Sequence, residues 1–127
     1  MEEILKYDIL QVNLKKVGGS IQGGERPVIV IQNNLGNKYS PTIIVMSLTS
    51  QNKSLKQATH LPIVADEENG LSKDSILLAE QIYTVNKSDI IYKRGRIKDR
   101  NLQKKVFKCF ISLAACGDDK DLELIAQ

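Results

Sequence analysis

The chain has 127 residues, of which 42% are hydrophobic, and a formal charge of +3, the profile of one ordinary globular domain with its own core. No apolar run approaches the ~20 residues that span a bilayer. The opening Met1-Glu2-Glu3-Ile4-Leu5-Lys6 is acidic where a secretory signal would be basic, which points to a cytoplasmic protein without membrane association.

Tyr7 to Leu14 alternates between polar and apolar residues and reads as a strand. Lys15 to Glu25 reads as a loop, carrying Gly18, Gly19, Gly23 and Gly24. Within it, Ser20-Ile21-Gln22-Gly23-Gly24-Glu25-Arg26-Pro27 forms a glycine-hinged turn that delivers an arginine to the start of a strand over Arg26 to Gln32. Paired glycines let the main chain approach a ligand closely, and a guanidinium offers a fork of donors matched to phosphate.

Asn33 to Pro41 is rich in turn formers and reads as a connection. The β-branched run Thr42 to Thr49 reads as a strand buried on both faces. Ser50 to Gln57 is loop-like, Thr59 to Val64 a short strand containing His60, and Ser75 to Val85 one long strand or two joined by a kink. Asn86 is a plausible cap for a single helical turn through Ile90, and Ile91 to Ile97 can form the last strand.

From Asp99 the period changes. Leu102, Val106, Cys109 or Phe110, and Leu113 recur at three- and four-residue spacing, which predicts a helix over about 100–116, capped by Asp99 and closed by Gly117. The tail 117–127 is either frayed or laid against a partner. Five or more short strands and one terminal helix suggest a mainly β fold, a small, strongly bent barrel over about 7–97. Cys109 and Cys116, seven apart on that helix, are separated by ~10 Å, too far for an unstrained disulfide. They read as small buried side chains. A single His and no clustered soft ligands argue against a metal site.

The charge is unevenly spread. Lys93, Arg94, Arg96, Lys98, Arg100, Lys104, Lys105 and Lys108 crowd one region, while Asp118, Asp119, Asp121 and Glu123 lie in the tail. Such a helix face reads first as a solvated one.

Three segments, Gly19 to Val28, Ile31 to Thr42 and Leu48 to Gln51, resemble the MazF/PemK family of toxin endoribonucleases, and Asp74 to Ile82 matches the family's later strand. The likeness spans roughly Tyr7 to Ala115 in one toxin domain, 1–127. It implies an SH3-like curved β-barrel of the CcdB/Kid/MazF type with a C-terminal helix, working as a homodimer. It also implies cofactor-free and metal-independent cleavage of single-stranded RNA, and neutralisation by a cognate antitoxin peptide. By the same resemblance Arg26 and Thr49 are the catalytic pair. Ser20, Gln22, Gln51, Glu80 and Gln81 line the RNA groove.

The chain departs from the family at Ile21, where an acidic residue is usual, at Gly18, and at Tyr7, which stands where a glycine is usual. A related alternative is a non-catalytic toxin of the same fold that acts on a protein such as gyrase. Arg26 cannot serve readily as a base, because its pKa exceeds ~12. His60, Glu25 and Glu80 therefore stay open as proton carriers, His60 reading first as a structural histidine.

Overall fold

The computed structural model describes residues 3–14 and 24–125. Ser20 and Gln22, with Gly18, Ile21 and Gly23, lie outside them. Six strands form one antiparallel sheet: β1 (Asp8–Leu14), β2 (Gly24–Val30), β3 (Thr42–Thr49), β4 (His60–Ile63), β5 (Ser75–Asn86) and β6 (Ile90–Arg96), in the spatial order β4-β5-β3-β2-β1-β6. Two helices complete it: α1 (Asn34–Tyr39) and α2 (Arg100–Ile111). The expected mainly β architecture with a C-terminal helix is the one observed.

Strand alternation sends side chains to both sides of the sheet, and both sides are apolar. Ile9, Ile29, Met46, Leu48 and Leu77 pack with Val106 and Cys109 of α2, while Leu10, Val12, Val28, Val30, Ile43 and Val45 form a second core on the opposite face. Register shifts bend the sheet in the β1–β6 pair and again between Met46 and Ser47 of β3. The second of these is the kink anticipated in the long strand: Met46 faces Ile82 whereas Ser47 faces Leu78, so three residues of β5, Ala79, Glu80 and Gln81, form a bulge with no facing residue on β3.

Five expectations need correction. The connection after β2 contains α1, because the Asn33 side chain accepts from the Gly36 amide at 2.8 Å and so closes a helical turn out of turn-forming residues. Asn86 precedes a single 3-10 turn, Lys87–Asp89, without capping it; its side-chain amide donates to Asp89 instead. Asp99 does cap α2, through the Asn101 amide, but the helix ends at Ile111. Beyond it the bonds tighten to three-residue spacing, Leu113 to Phe110 and Ala114 to Ile111. Cys116 therefore lies past the helix and is exposed, unlike buried Cys109. The tail is not frayed: Lys120–Ile125 forms a 3-10 helix whose Leu122, Leu124 and Ile125 face Phe110 and Leu113 across an apolar hollow.

Candidate active site

β2 opens at Gly24, whose φ of +91° is left-handed and strained for any side chain, while a Cβ there would meet nothing. The constraint is conformational: the glycine turns the chain into Glu25 and Arg26. On the neighbouring strand, β3 pairs with β2 through Val28↔Ser47 and Ile29↔Met46. Continuing this register by two residues from Val28 sets Arg26 opposite Thr49, on one face of the sheet.

A cavity of about 360 Å³ opens at these strand ends, bordered by Glu25, Arg26, Thr49, Gln51, Lys73 and Arg94. Thr49 is buried, and its Oγ1 accepts from the Gln51 amide at 3.2 Å, leaving the hydroxyl proton to donate. Arg26 Nε and Ser47 Oγ are buried without a hydrogen-bond partner among the described residues. A buried donor left unpaired costs about 1–3 kcal/mol, so Arg26 Nε calls for a partner other than the described residues.

Arg94 enters the cavity from β6. Its Nε donates to Gln11 Oε1 at 2.8 Å and its guanidinium to the Gly70 carbonyl at 3.0 Å. Segment 66–72 is locked against β6 there. A Cβ on Gly70 would strike the Arg94 carbonyl, and one on Gly95 the Glu68 carbonyl. Sequence reasoning missed Arg94 and Lys73 as cavity residues. The basic cluster after residue 92 was visible, but nothing local ties it to Arg26.

The structure thus brings Arg26, Thr49 and Gln51 together. Glu80 and Gln81 stand outside this cavity, on and beside the β5 bulge. Gln81 Oε1 accepts from the Tyr83 hydroxyl at 3.5 Å. Burial pushes the Tyr83 phenol up, opposed by the charge of Arg26. Glu80 accepts from Thr59 Oγ1 at 2.9 Å and from His60 Nε2 at 2.8 Å. His60 likewise does not border the cavity; its other nitrogen contacts the Ser54 carbonyl. Among the described residues no three His, Cys, Asp or Glu side chains group to hold a metal ion, and no helix is long and apolar enough to cross a membrane.

An arginine and a threonine bordering one cationic cleft, carried on a bent antiparallel sheet, define the class: a small β protein with a basic, hydroxyl-bearing cleft at its strand ends. Residues 5–110 match the PemK-like, MazF-like toxins of type II toxin–antitoxin systems, and the chain belongs to that family as a toxin endoribonuclease. It is 42% identical to Endoribonuclease EndoA of Bacillus subtilis, over 87% of this chain and 95% of that one. It is also 42% identical to Endoribonuclease MazF of Staphylococcus saprophyticus, over 76% and 79%. MazF from Deinococcus radiodurans shares the fold at a TM-score of 0.73 and 16% identity, covering 89% of this chain and 97% of that one. A mycobacterial endoribonuclease solved with its cognate antitoxin matches at 0.68 and 16%, over 86% and 92%. At such low identity these structural likenesses speak for the fold alone.

Proposed function

We propose that the chain cuts single-stranded RNA at the Arg26–Thr49 cleft, without metal. The 2′-oxygen attacks its own phosphorus, forming the O2′–P bond as the P–O5′ bond breaks, so the products carry a 2′,3′-cyclic phosphate and a 5′-hydroxyl. Arg26 neutralises the charge that develops on the non-bridging oxygens, and the Thr49 hydroxyl donates to one of them. Glu25 is the carboxylate bordering the cleft, which favours it over Glu80 and His60 as the acceptor of the 2′-hydroxyl proton. Ser20, Gln22, Gln51, Glu80 and Gln81 form the groove that reads the bases through amide, hydroxyl and carboxylate groups. The protein acts in the cytoplasm as a homodimer and is silenced by a cognate antitoxin peptide.

The observation that carries this reading is the buried Arg26 Nε, without a partner among the described residues, in the cavity that Thr49 also borders. Incubation of a long RNA with the protein in excess EDTA is expected to give discrete fragments with cyclic-phosphate ends. Intact RNA, or the same fragments from Arg26→Ala protein, would overturn it.

A further inference from the structure

A second and larger cavity, about 530 Å³, lies between the start of β1, the end of β6 and α2. Lys6, Arg96, Arg100, Lys104 and Lys108 border it, and no carboxylate among the described residues does. Arg100, Lys104 and Lys108 follow one another at four-residue spacing, so they form one stripe along α2. Among the described residues only Arg96 of these five is ion-paired, at 3.3 Å to Asp8, a carboxylate it shares with Lys93. Arg100 donates to the neutral Gln103 amide instead. The Lys6 ammonium lies over the Phe107 ring at 4.5 Å and the Tyr7 ring at 5.2 Å. Burial, then the neighbouring Arg100 charge, holds Lys6 below the ordinary lysine range. Like charges gathered this closely repel one another, and the arrangement becomes favourable when an anion lies among them.

Continuity with the active-site cleft decides what that anion is. Arg94 borders the cleft, and Arg96, two residues further along β6, borders the α2 cavity. β6 is an edge strand of the sheet, and its irregular pairing with β1 at this point lets it carry one guanidinium to each cavity, so a chain passing around that edge meets Arg94 and Arg96 in turn. At the far end Phe107 presents a ring that is 40% exposed among the lysines, the pairing of aromatic face and cation that single-stranded nucleic acid binders use.

We infer that the RNA strand runs from the cleft along β6 onto α2, its backbone phosphates held without regard to sequence by Arg94, Arg96, Arg100, Lys104 and Lys108. The inference rests on the reading of the Arg26–Thr49 cleft as the cutting site. The track adds affinity for long RNA, and the cleft retains the choice of cut.

The test compares Lys104→Glu/Lys108→Glu with a control of equal charge change off the track, Lys87→Glu/Lys120→Glu. Each is placed in the Arg26→Ala background, and affinity is measured by fluorescence anisotropy over a range of salt. Two RNAs serve as probes: a short oligonucleotide carrying one cut motif, and the same motif extended on both sides. The track variant should weaken extended RNA about tenfold more than short RNA, and lower its salt slope by about 1.4, two single-strand phosphate contacts. The control should leave both unchanged. An equal effect on the two RNA lengths, an unchanged slope, or loss of an acidic antitoxin peptide with RNA affinity intact would overturn the inference. Cleavage by the parent protein is scored separately, so a failed cleft assignment shows as intact RNA while binding still reports on the track.

Discussion

His60 and Glu80 are joined across β4 and β5 by a 2.8 Å contact between Nε2 and Oε2, while Nδ1 stands 2.6 Å from the Ser54 carbonyl oxygen. The Ser54 carbonyl and the Glu80 carboxylate thus offer an acceptor to each ring nitrogen. Burial pushes the Glu80 carboxyl up, but the hydrogen bonds from His60 and Thr59, with the His60 charge, outweigh it and leave Glu80 below the usual carboxylate range. This ties the candidate groove residue to the 50–58 loop.

The pH dependence follows from that sign. A carboxyl whose folded pKa lies below its unfolded value stabilises the fold above the unfolded value, near ~4.3, and loses that contribution as pH falls further. The Glu80 side chain is 41% exposed, so its contribution is about 0.5–1 kcal/mol. Urea unfolding of the wild type and Glu80→Gln should show a steady gap at neutral pH that closes below about pH 4. A gap that widens on acidification would contradict the pairing.

Arg26 separates stability from activity. Its Nε is buried without a partner among the described residues, so Arg26→Ala removes a donor they leave unsatisfied and should leave the melting temperature unchanged or raise it. Cleavage should fall by about 10²–10³, the usual loss for one donor aimed at developing charge. Arg26→Lys should restore little, because an ammonium lacks the planar fork. Thermal melts beside a fluorogenic RNA assay would check all three; an alanine variant that unfolds early would show that Arg26 is structural.

What the sequence made legible was what adjacent residues decide. Thr42–Thr49 was read with its observed bounds, because a β-branched run has one good conformation. Arg26 and Thr49 could be paired once the family likeness was seen. The α1 helix could not be read, since Asn33 and Gly36 look like a turn until the cap bond between them forms. Nor could Arg94 be assigned to the cleft. Its place depends on Gln11, 83 residues away, and on a close approach between segment 66–72 and β6 that no local pattern encodes.

Asp8 is the electrostatic hinge between β1 and β6. It is fully buried, bonded at 3.1 Å to Lys93 and 3.3 Å to Arg96, and accepts from the Leu5 amide at 2.8 Å. Breaking a buried pair from one side typically costs about 3–5 kcal/mol. Lys93 and Arg96 remain 28% and 29% exposed and can turn to solvent, which places Asp8→Ala nearer about 2–3 kcal/mol. Chemical denaturation would read it, and a loss under 1 kcal/mol would mean that the two cations do not depend on this carboxylate.

Tyr7 sets two opposing effects against each other. Its φ of +74° is left-handed, which costs a side-chain-bearing residue about 1–2 kcal/mol. Its amide donates to the Val30 carbonyl at 2.8 Å and its carbonyl accepts from Ile97 at 3.1 Å, so the surrounding strands hold the backbone there. Tyr7→Gly would relieve that strain, yet the ring is only 6% exposed and packs into the core beneath α2. Deleting a large buried aromatic side chain costs about 3–5 kcal/mol. Burial wins, and the glycine variant should be less stable by about 1–4 kcal/mol. Urea titration of Tyr7→Gly beside Tyr7→Ala separates the parts: alanine loses the ring and keeps the strain, so it should be the weaker of the two. If glycine and alanine unfold together, the left-handed turn carries no strain.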